Sequence, residues 1–521
     1  MAWKPEVIIV ACCGYDVEQT MQERPTIARE PGWLELPAVE NSRVYVADGS
    51  QYFNRPGPRL VESLEILAHA IEPEVHPPPT AAPPANQLAR TFWHSFLGLW
   101  MLVAAMSGCA SNPLPTASPP AAVEPKLKTF AEQMGCVFTE LRDAPLDSLA
   151  AESISMPRFP GQWCIWNSSG RDHRGHLWFG VSAHEVELPS ARLFEYDPAS
   201  RQMTDRGNVV DALRRAGLHK PGEGQMKIHT RIVQGGDGHL YFASYDEQGE
   251  ATDGSRLPTW GSHFWRLRLP ENRWEHLFAA PEALIAVAGA GRWMYALGYF
   301  GHVLYQYDCA TGKHRSVTVG SLGGHVSRNF FCDVRGHAYV PRLRGGVAGQ
   351  PPTTYLVEID TELKEQAATR FDFYTQTPDD SSHGITGVQP LADGTIVFCT
   401  DQGFLFRVTP LDLLPAKVEP LGWIHPAGKT YVASLFTSDG QTHVMAFCQR
   451  SALDGPTNEW LVFDLSSRSS TAVPFELPPA DGQPITRHVL YGSITRDDQG
   501  ACYLVGGYGQ NMPLILRVYP R

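Results

Sequence analysis

At 521 residues the chain is too long for one ordinary hydrophobic core and divides into two or three units. Its 43% hydrophobic and 19% charged residues exclude a disordered polymer, while 47 Gly, 42 Pro and 10% aromatics favour many short strands joined by turns. The net charge of −12 argues against nucleic acid or an anionic membrane surface as partner of the whole chain. Ten cysteines are scattered without a CxxC pair or metal-finger spacing, and Cys332, Cys399 and Cys502 sit in apolar runs, where small buried hydrophobes are expected.

The first unit reads as α/β. The run Val7–Cys12 is a buried strand, a helical stretch starts at Asp16, and Arg43–Ala47 is a second strand. From Leu60 to Ile71 the periodicity is helical, with Leu60, Leu64, Leu67 and Ala68 on one face. Four motifs follow in order: Pro5-Glu-Val-Ile-Ile-Val, Pro31-Gly-Trp-Leu-Glu-Leu-Pro-Ala-Val, Arg43-Val-Tyr-Val-Ala-Asp-Gly and Asn54-Arg-Pro-Gly-Pro-Arg-Leu-Val. Their order and spacing over residues 1–76 resemble the C-terminal part of the periplasmic cobalamin-binding proteins of ABC importers, within the Fe/B12 periplasmic-binding family. The resemblance implies a partial lobe in which Tyr52, Phe53 and Arg55 face a corrin. That family closes two lobes around its ligand. The first lobe and most of the hinge are missing here, so the fragment is expected not to bind cobalamin alone.

Residues 77–125 are Pro/Ala-rich tethers flanking a segment (90–109) of export type. The apolar run Phe96–Met106 is too short to span a bilayer and has the length of a signal-peptide core. A basic residue, Arg90, precedes it, and Ser107-Gly108-Cys109 follows. That ending resembles the bacterial lipobox, which implies lipidation of Cys109, a membrane anchor, and residence on the periplasmic side of the bacterial cell envelope.

Residues 126–521 form the third unit. A turn followed by an apolar strand recurs at Asp172, Asp237, Asp333, Asp393, Asp439 and Asp497, with a degenerate copy at Gly289-Ala-Gly-Arg-Trp-Met-Tyr. Seven partner strands alternate with the turns, from Leu193-Phe-Glu-Tyr-Asp197 to Ile515-Leu-Arg-Val-Tyr519. The pattern predicts a mainly β fold, a seven-bladed β-propeller of unassigned subfamily, preceded by the short α/β fragment. Only two residues follow Tyr519, so the last blade needs an outer strand from elsewhere, and Cys136–Leu141 is expected to supply it. Long links between second and third strands (182–191, 246–262, 344–354, 449–459) and a helix-like stretch at 209–218 mark one face for binding.

His229, His325, His383 and His488 each precede a turn glycine by nine to twelve residues, the entry of an innermost strand. Such imidazoles would converge on the axis, where they could hold a divalent ion, Mn or Zn, with Glu282 as a further member. Lys227, Arg231, Arg328 and Arg487 lie beside them and suit an anionic ligand. His176, His239 and His337 follow the turn glycine and read as packing residues of the opposite face. The leading expectation is an exported, lipid-anchored binding scaffold for a small anionic ligand or a protein. A metal-dependent lyase acting on an anionic sugar, and cobalamin or iron-complex binding for ABC transport, remain as alternatives.

Overall fold

The computed structural model describes residues 4–11, 20, 33, 36–41, 43–47, 60–71, 75 and 149–520, the last stretch interrupted at 252–254, 300–301, 323–326, 346–351, 375–383, 413, 438–439, 453–454, 486–487 and 493–495. The chain divides into two compact units, 1–123 and 124–521.

In the first unit Ile8–Val10 pairs in parallel with Val44–Val46, Ile8 opposite Val44. A parallel pair requires a crossover and agrees with the α/β reading. Trp33, Leu36, Ala38 and Val44 form a small core against Ile8, Val10 and Val39. The helix Leu60–Ile71 forms over the predicted residues. Its buried face differs from the expected one: Ile66 and Ala70 are buried, while Leu64 is 65% exposed. Arg43 Nη2 donates to the carbonyls of Ala70 (3.4 Å) and Ile71, so a cation neutralises the helix C-terminus.

The second unit is the seven-bladed propeller that the repeats predict, with its strands paired within each blade in sequence order. Blade one comprises Ser169–Arg171, Leu177–Val181, Arg192–Asp197 and Gln202–Asn208. In blade two the innermost strand is broken into Lys227–Ile228 and Val233–Gln234, followed by Leu240–Tyr245, Ser262–Arg268 and Arg273–Ala280. Blade three runs from Leu284–Ala290 to His314–Thr318, and blade four from Phe331–Cys332 to Glu365–Phe371. Blade five runs from Ile385–Pro390 to Lys417–Trp423, and blade six from Phe436–Thr437 to Ser470–Pro474. Blade seven holds His488–Leu490, Cys502–Tyr508 and Met512–Pro520, and its outer strand is Leu149–Ser153.

That last pairing sets Ala151 opposite Val518 and ties the N-terminal end of the unit to its C-terminal end. The edge is therefore filled from the N-terminal side as expected, but by 149–153; the segment 136–141 lies outside the described residues. The strand is held further by Glu152, which accepts from Arg517 (3.2 Å) and Arg201 (2.7 Å).

The turns explain why the repeat carries Asp. In blade four the Asp333 carboxylate accepts from the backbone N–H of Arg335 and His337 on one oxygen, and from the Tyr339 hydroxyl (2.7 Å) on the other. Blade one repeats the arrangement with Asp172 and Trp178, and blade seven with Asp497 and Tyr503. Arg174 and Arg335 each bridge their turn Asp to a third-strand glutamate, Glu195 or Glu358, which also receives His176 or His337. His239 accepts from Leu269 N–H. These three histidines pack the repeat, as their positions suggested.

Two further points bear on the site. In blade six no long link exists: Gln449 pairs with Asn458 inside an extended ribbon, His443–Ala452 against Gly455–Asp464. The helix Val209–Arg215 forms between blades one and two, capped by Asn208, whose side chain accepts from Asp211 N–H (2.9 Å). All six described cysteines are free, and five, including Cys332, Cys399 and Cys502, are buried.

Candidate functional site

The entry face is the one from which each innermost strand starts. Close to it Asn167 of blade one donates from Nδ2 to Asn329 Oδ1 of blade four over 3.1 Å. Asn329 Nδ2 in turn donates to Ile385 O (3.0 Å) and Thr386 O (3.3 Å) of blade five. Blades one and four stand nearly opposite one another in a ring of seven, so this bridge crosses the axis as a floor, and the side chains gathered on it are termed the cup. The floor is tightly drawn. Asn167 holds φ of 112°, a strained value for any residue with a Cβ. Gly492 of blade seven, at φ 116°, has no room for a Cβ between Ala433 O and Asn167 Oδ1.

The residue before each bridging asparagine rises from this floor: Trp166 and Arg328. Both lie against Tyr491, whose ring centroid is 4.6 Å from that of Trp166 and 5.3 Å from Arg328 Cζ. Trp166 Nε1 and Arg328 Nη1 are buried and have no hydrogen-bond partner among the described residues. On its other side Trp166 carries the Lys227 ammonium, 4.2 Å from its ring. Lys227 is 7% exposed and pairs with Glu247, and it also lies 5.9 Å from the Tyr245 ring. Glu250, three residues on, has a buried Oε2 without a partner among the described residues. Burial first, and then the neighbouring Glu247 carboxylate, push the Glu250 carboxyl up to about 7.

Tyrosines complete the wall. Burial raises Tyr245, Tyr299, Tyr431 and Tyr491 above the usual phenol range, and the Arg328 guanidinium bears on all four hydroxyls in the opposite sense. Glu247 and Glu250 bear on Tyr245 and Tyr299 as well. The floor also contains Cys164, whose thiol burial pushes up to about 12, so it is no thiolate nucleophile. His184, whose ring lies tilted 5.2 Å from that of Trp163, is held neutral by burial and the Lys227 charge, with its pKa lowered to about 4.

Of the residues singled out from the sequence, Lys227 and Arg328 belong to this cup. His229 is 2% exposed and lies between the Trp166 and Tyr245 rings, with Nδ1 3.2 Å from Ile285 O. His488 instead turns toward blade six, against Phe447 (6.1 Å) and Gln449 Nε2 (3.4 Å). The two stand in different surroundings, and the other members of the expected ring, His325 and His383, lie outside the described residues. Glu282 also turns away from the axis: its carboxylate packs on Gly298 and accepts from Tyr305 (3.2 Å). Arg231 is buried, at 5% exposure. His325, His383, Arg487, Cys109 and the family-implied Tyr52, Phe53 and Arg55 lie outside the described residues.

Three other groups bring ligand-type atoms within 4.8 Å of one another: Asp172, His176 and Glu195; Asp333, His337 and Glu358; and His425, Cys448 and Glu459. In the first two an arginine already bridges the carboxylates, so a second cation would meet repulsion. In the third, Ala427 N–H donates to His425 Nδ1 (2.9 Å), which places the neutral ring's proton on Nε2, the atom facing Glu459. A metal at Nε2 needs that proton on Nδ1 instead. Arg450 Nη1, 3.2 Å from both ring nitrogens, adds a positive charge. None of the three has the chemistry of a metal centre.

Sequence reasoning missed Trp166, Tyr431 and Tyr491. All stand at the strand entries where the histidines were sought, in blades one, six and seven. Reading every residue type at that repeat position, rather than histidine alone, would have found them.

No family model matches the chain, and no curated protein matches it. The resemblance of residues 1–76 to the cobalamin-binding family thus stands on its motifs alone. Solved structures do match. A protein of unknown function from Dyadobacter fermentans is 11% identical with a TM-score of 0.41, over 72% of this chain and 100% of its own. U3-55K is 11% identical with a TM-score of 0.42, over 71% of this chain and 98% of its own. A complex of KlAtg21 with the coiled coil of AgAtg16 gives 10%, 0.40, 68% and 99% respectively. At such scores the likenesses add no argument about function; the blade order itself makes the second unit a seven-bladed propeller.

Proposed function

We propose that the propeller is a binding module that takes an anionic group into the cup on its entry face. The observation that carries this reading is the pair of buried donors, Trp166 Nε1 and Arg328 Nη1, both against Tyr491 and without acceptors among the described residues. An unmet buried donor costs about 1–3 kcal/mol, and more when charged, so folded chains rarely keep two together without a use for them. A carboxylate or phosphate oxygen is the acceptor that such donors lack, and a guanidinium is suited to planar anions. Aromatic walls with a few convergent polar groups are the usual make-up of a small-molecule site. On the sequence alone we further place this module on the periplasmic side of the cell envelope, tethered through Cys109.

The test is a thermal-shift titration of the full chain with inorganic phosphate, acetate and galacturonate. A ligand that binds only the folded state raises the melting temperature with concentration. At least one anion is expected to do so, with the response lost in Arg328→Met and weakened in Trp166→Phe. No response to any of the three, or an Arg328→Met response equal to wild type, would overturn the reading.

A further inference from the structure

The cup is electrically two-sided. On the blade-four side stands Arg328, its Nη1 without a partner among the described residues, and on the blade-two side stand Glu247 and Glu250 with the Lys227 ammonium beside Glu247. Lys227 is spent on Glu247, and its chain is held over Trp166. Glu250 Oε2 is left buried without a partner among the described residues. Asp246, the neighbouring acid, is satisfied by the backbone N–H groups of Gln248 (2.9 Å) and Trp260 (3.1 Å). An acceptor and two donors without partners among the described residues therefore stand together, near the Tyr245 and Tyr299 hydroxyls on which Arg328, Glu247 and Glu250 all act.

Resting on the anion reading above, we infer that the ligand is zwitterionic, its anionic group held by Arg328 and Trp166 and its cationic amine by Glu250 between Tyr245 and Tyr299. Each half repairs what the other leaves. An anion alone would satisfy the donors and leave the Glu250 oxygen unmet, whereas an ammonium brings donors to it and faces aromatic rings that attract cations. A neutral hydroxyl could reach Glu250 too, but it would not ionise the carboxyl. An ammonium does, since a positive charge within contact favours the carboxylate. Binding then proceeds as carboxylic acid plus ammonium going to carboxylate–ammonium pair, with one proton released to solvent.

This release separates the two ideas experimentally. The full chain is titrated calorimetrically at about pH 6, where the Glu250 carboxyl is still largely protonated. The probes are 4-aminobutyrate and 6-aminohexanoate, with butyrate and hexanoate as matched anions, each in two buffers of different ionisation enthalpy. At least one amino acid is expected to bind about tenfold or more tightly than its matched carboxylate and to release a proton. Glu250→Gln should remove the proton release and most of the preference, while the carboxylates bind that variant as they bind wild type. If amino acids and carboxylates bind equally, or if Glu250→Gln keeps the preference, the zwitterion inference falls and the anion reading stands. If no probe binds, both fall.

Discussion

The indole nitrogen of Trp178 donates to Asp172 Oδ2 over 3.0 Å, and six residues separate them, as they separate Tyr339 from Asp333 and Tyr503 from Asp497. The turn acid thereby fastens its hairpin to an aromatic side chain of the second strand, on the face opposite the cup. The acids are 2%, 0% and 1% exposed, so each bond is made away from water.

Replacing Asp333 by Ala strips acceptors from the Tyr339 hydroxyl, from Arg335 and from two backbone N–H groups at once. We expect a loss of roughly 3 kcal/mol in urea unfolding. Asp393, whose side chain is bonded among the described residues to Thr395 alone at an exposed turn, should lose less than about 1 kcal/mol on the same change. Equal losses would show that the aromatic bond contributes nothing.

Glu250 makes stability depend on pH in a stated direction. Its carboxyl is raised from 4.5 to about 7 in the folded chain, so between those values the folded state holds a proton that the unfolded state has released. The associated stability is fully present below about pH 4.5 and is lost as pH rises through about 7. Glu250→Gln carries no such proton, so the variant should gain stability relative to wild type between about pH 5 and 8. Parallel melting curves across that range measure the difference; a constant offset would mean that Glu250 is not protonated in the fold.

Closure of the ring by Leu149–Ser153 predicts what its removal does. A chain starting at Ile154 leaves the Met512–Pro520 edge unpaired and frees Arg517 and Arg201 from Glu152. Open edges recruit other chains, so the truncated protein should elute as oligomers or aggregates in size-exclusion chromatography while one starting at Glu124 stays monodisperse. A monodisperse truncated form would show that blade seven is stable with three strands.

The run Phe96–Met106 followed by Ser107-Gly108-Cys109 predicts a processed protein. Mass spectrometry of membrane-extracted material from a bacterial host should find the mature N-terminus at Cys109 with added acyl chains, and Cys109→Ser should release the protein from the membrane fraction. An intact chain holding both Trp3 and Arg521 as the main product would rule this out.

Periodic features were legible without coordinates because they are local. Turn acids, alternating strands and their sevenfold recurrence follow from backbone geometry within a few residues, and Asp172, Asp333 and Asp497 mark their turns in sequence and structure alike. The helices Leu60–Ile71 and Val209–Arg215 follow from the same local patterning. Which strand closes the ring was not legible: 136–141 alternates more clearly than 149–153, but pairing was decided by which segment meets the edge of Met512–Pro520. The cup was half legible. Lys227 and Arg328 stood out as cations, whereas His229 stands nine residues before its turn glycine and His488 twelve before Gly500, so that Tyr491 and not His488 takes the place of His229 in blade seven. Sequence by itself determined the number of blades, their order and the face on which the innermost strands begin. Only the tertiary structure decided that Asn167 would reach Asn329 across the axis and leave Trp166 and Arg328 side by side against Tyr491. Those residues lie far apart in the chain, and only closure of the ring puts their side chains in reach of one another.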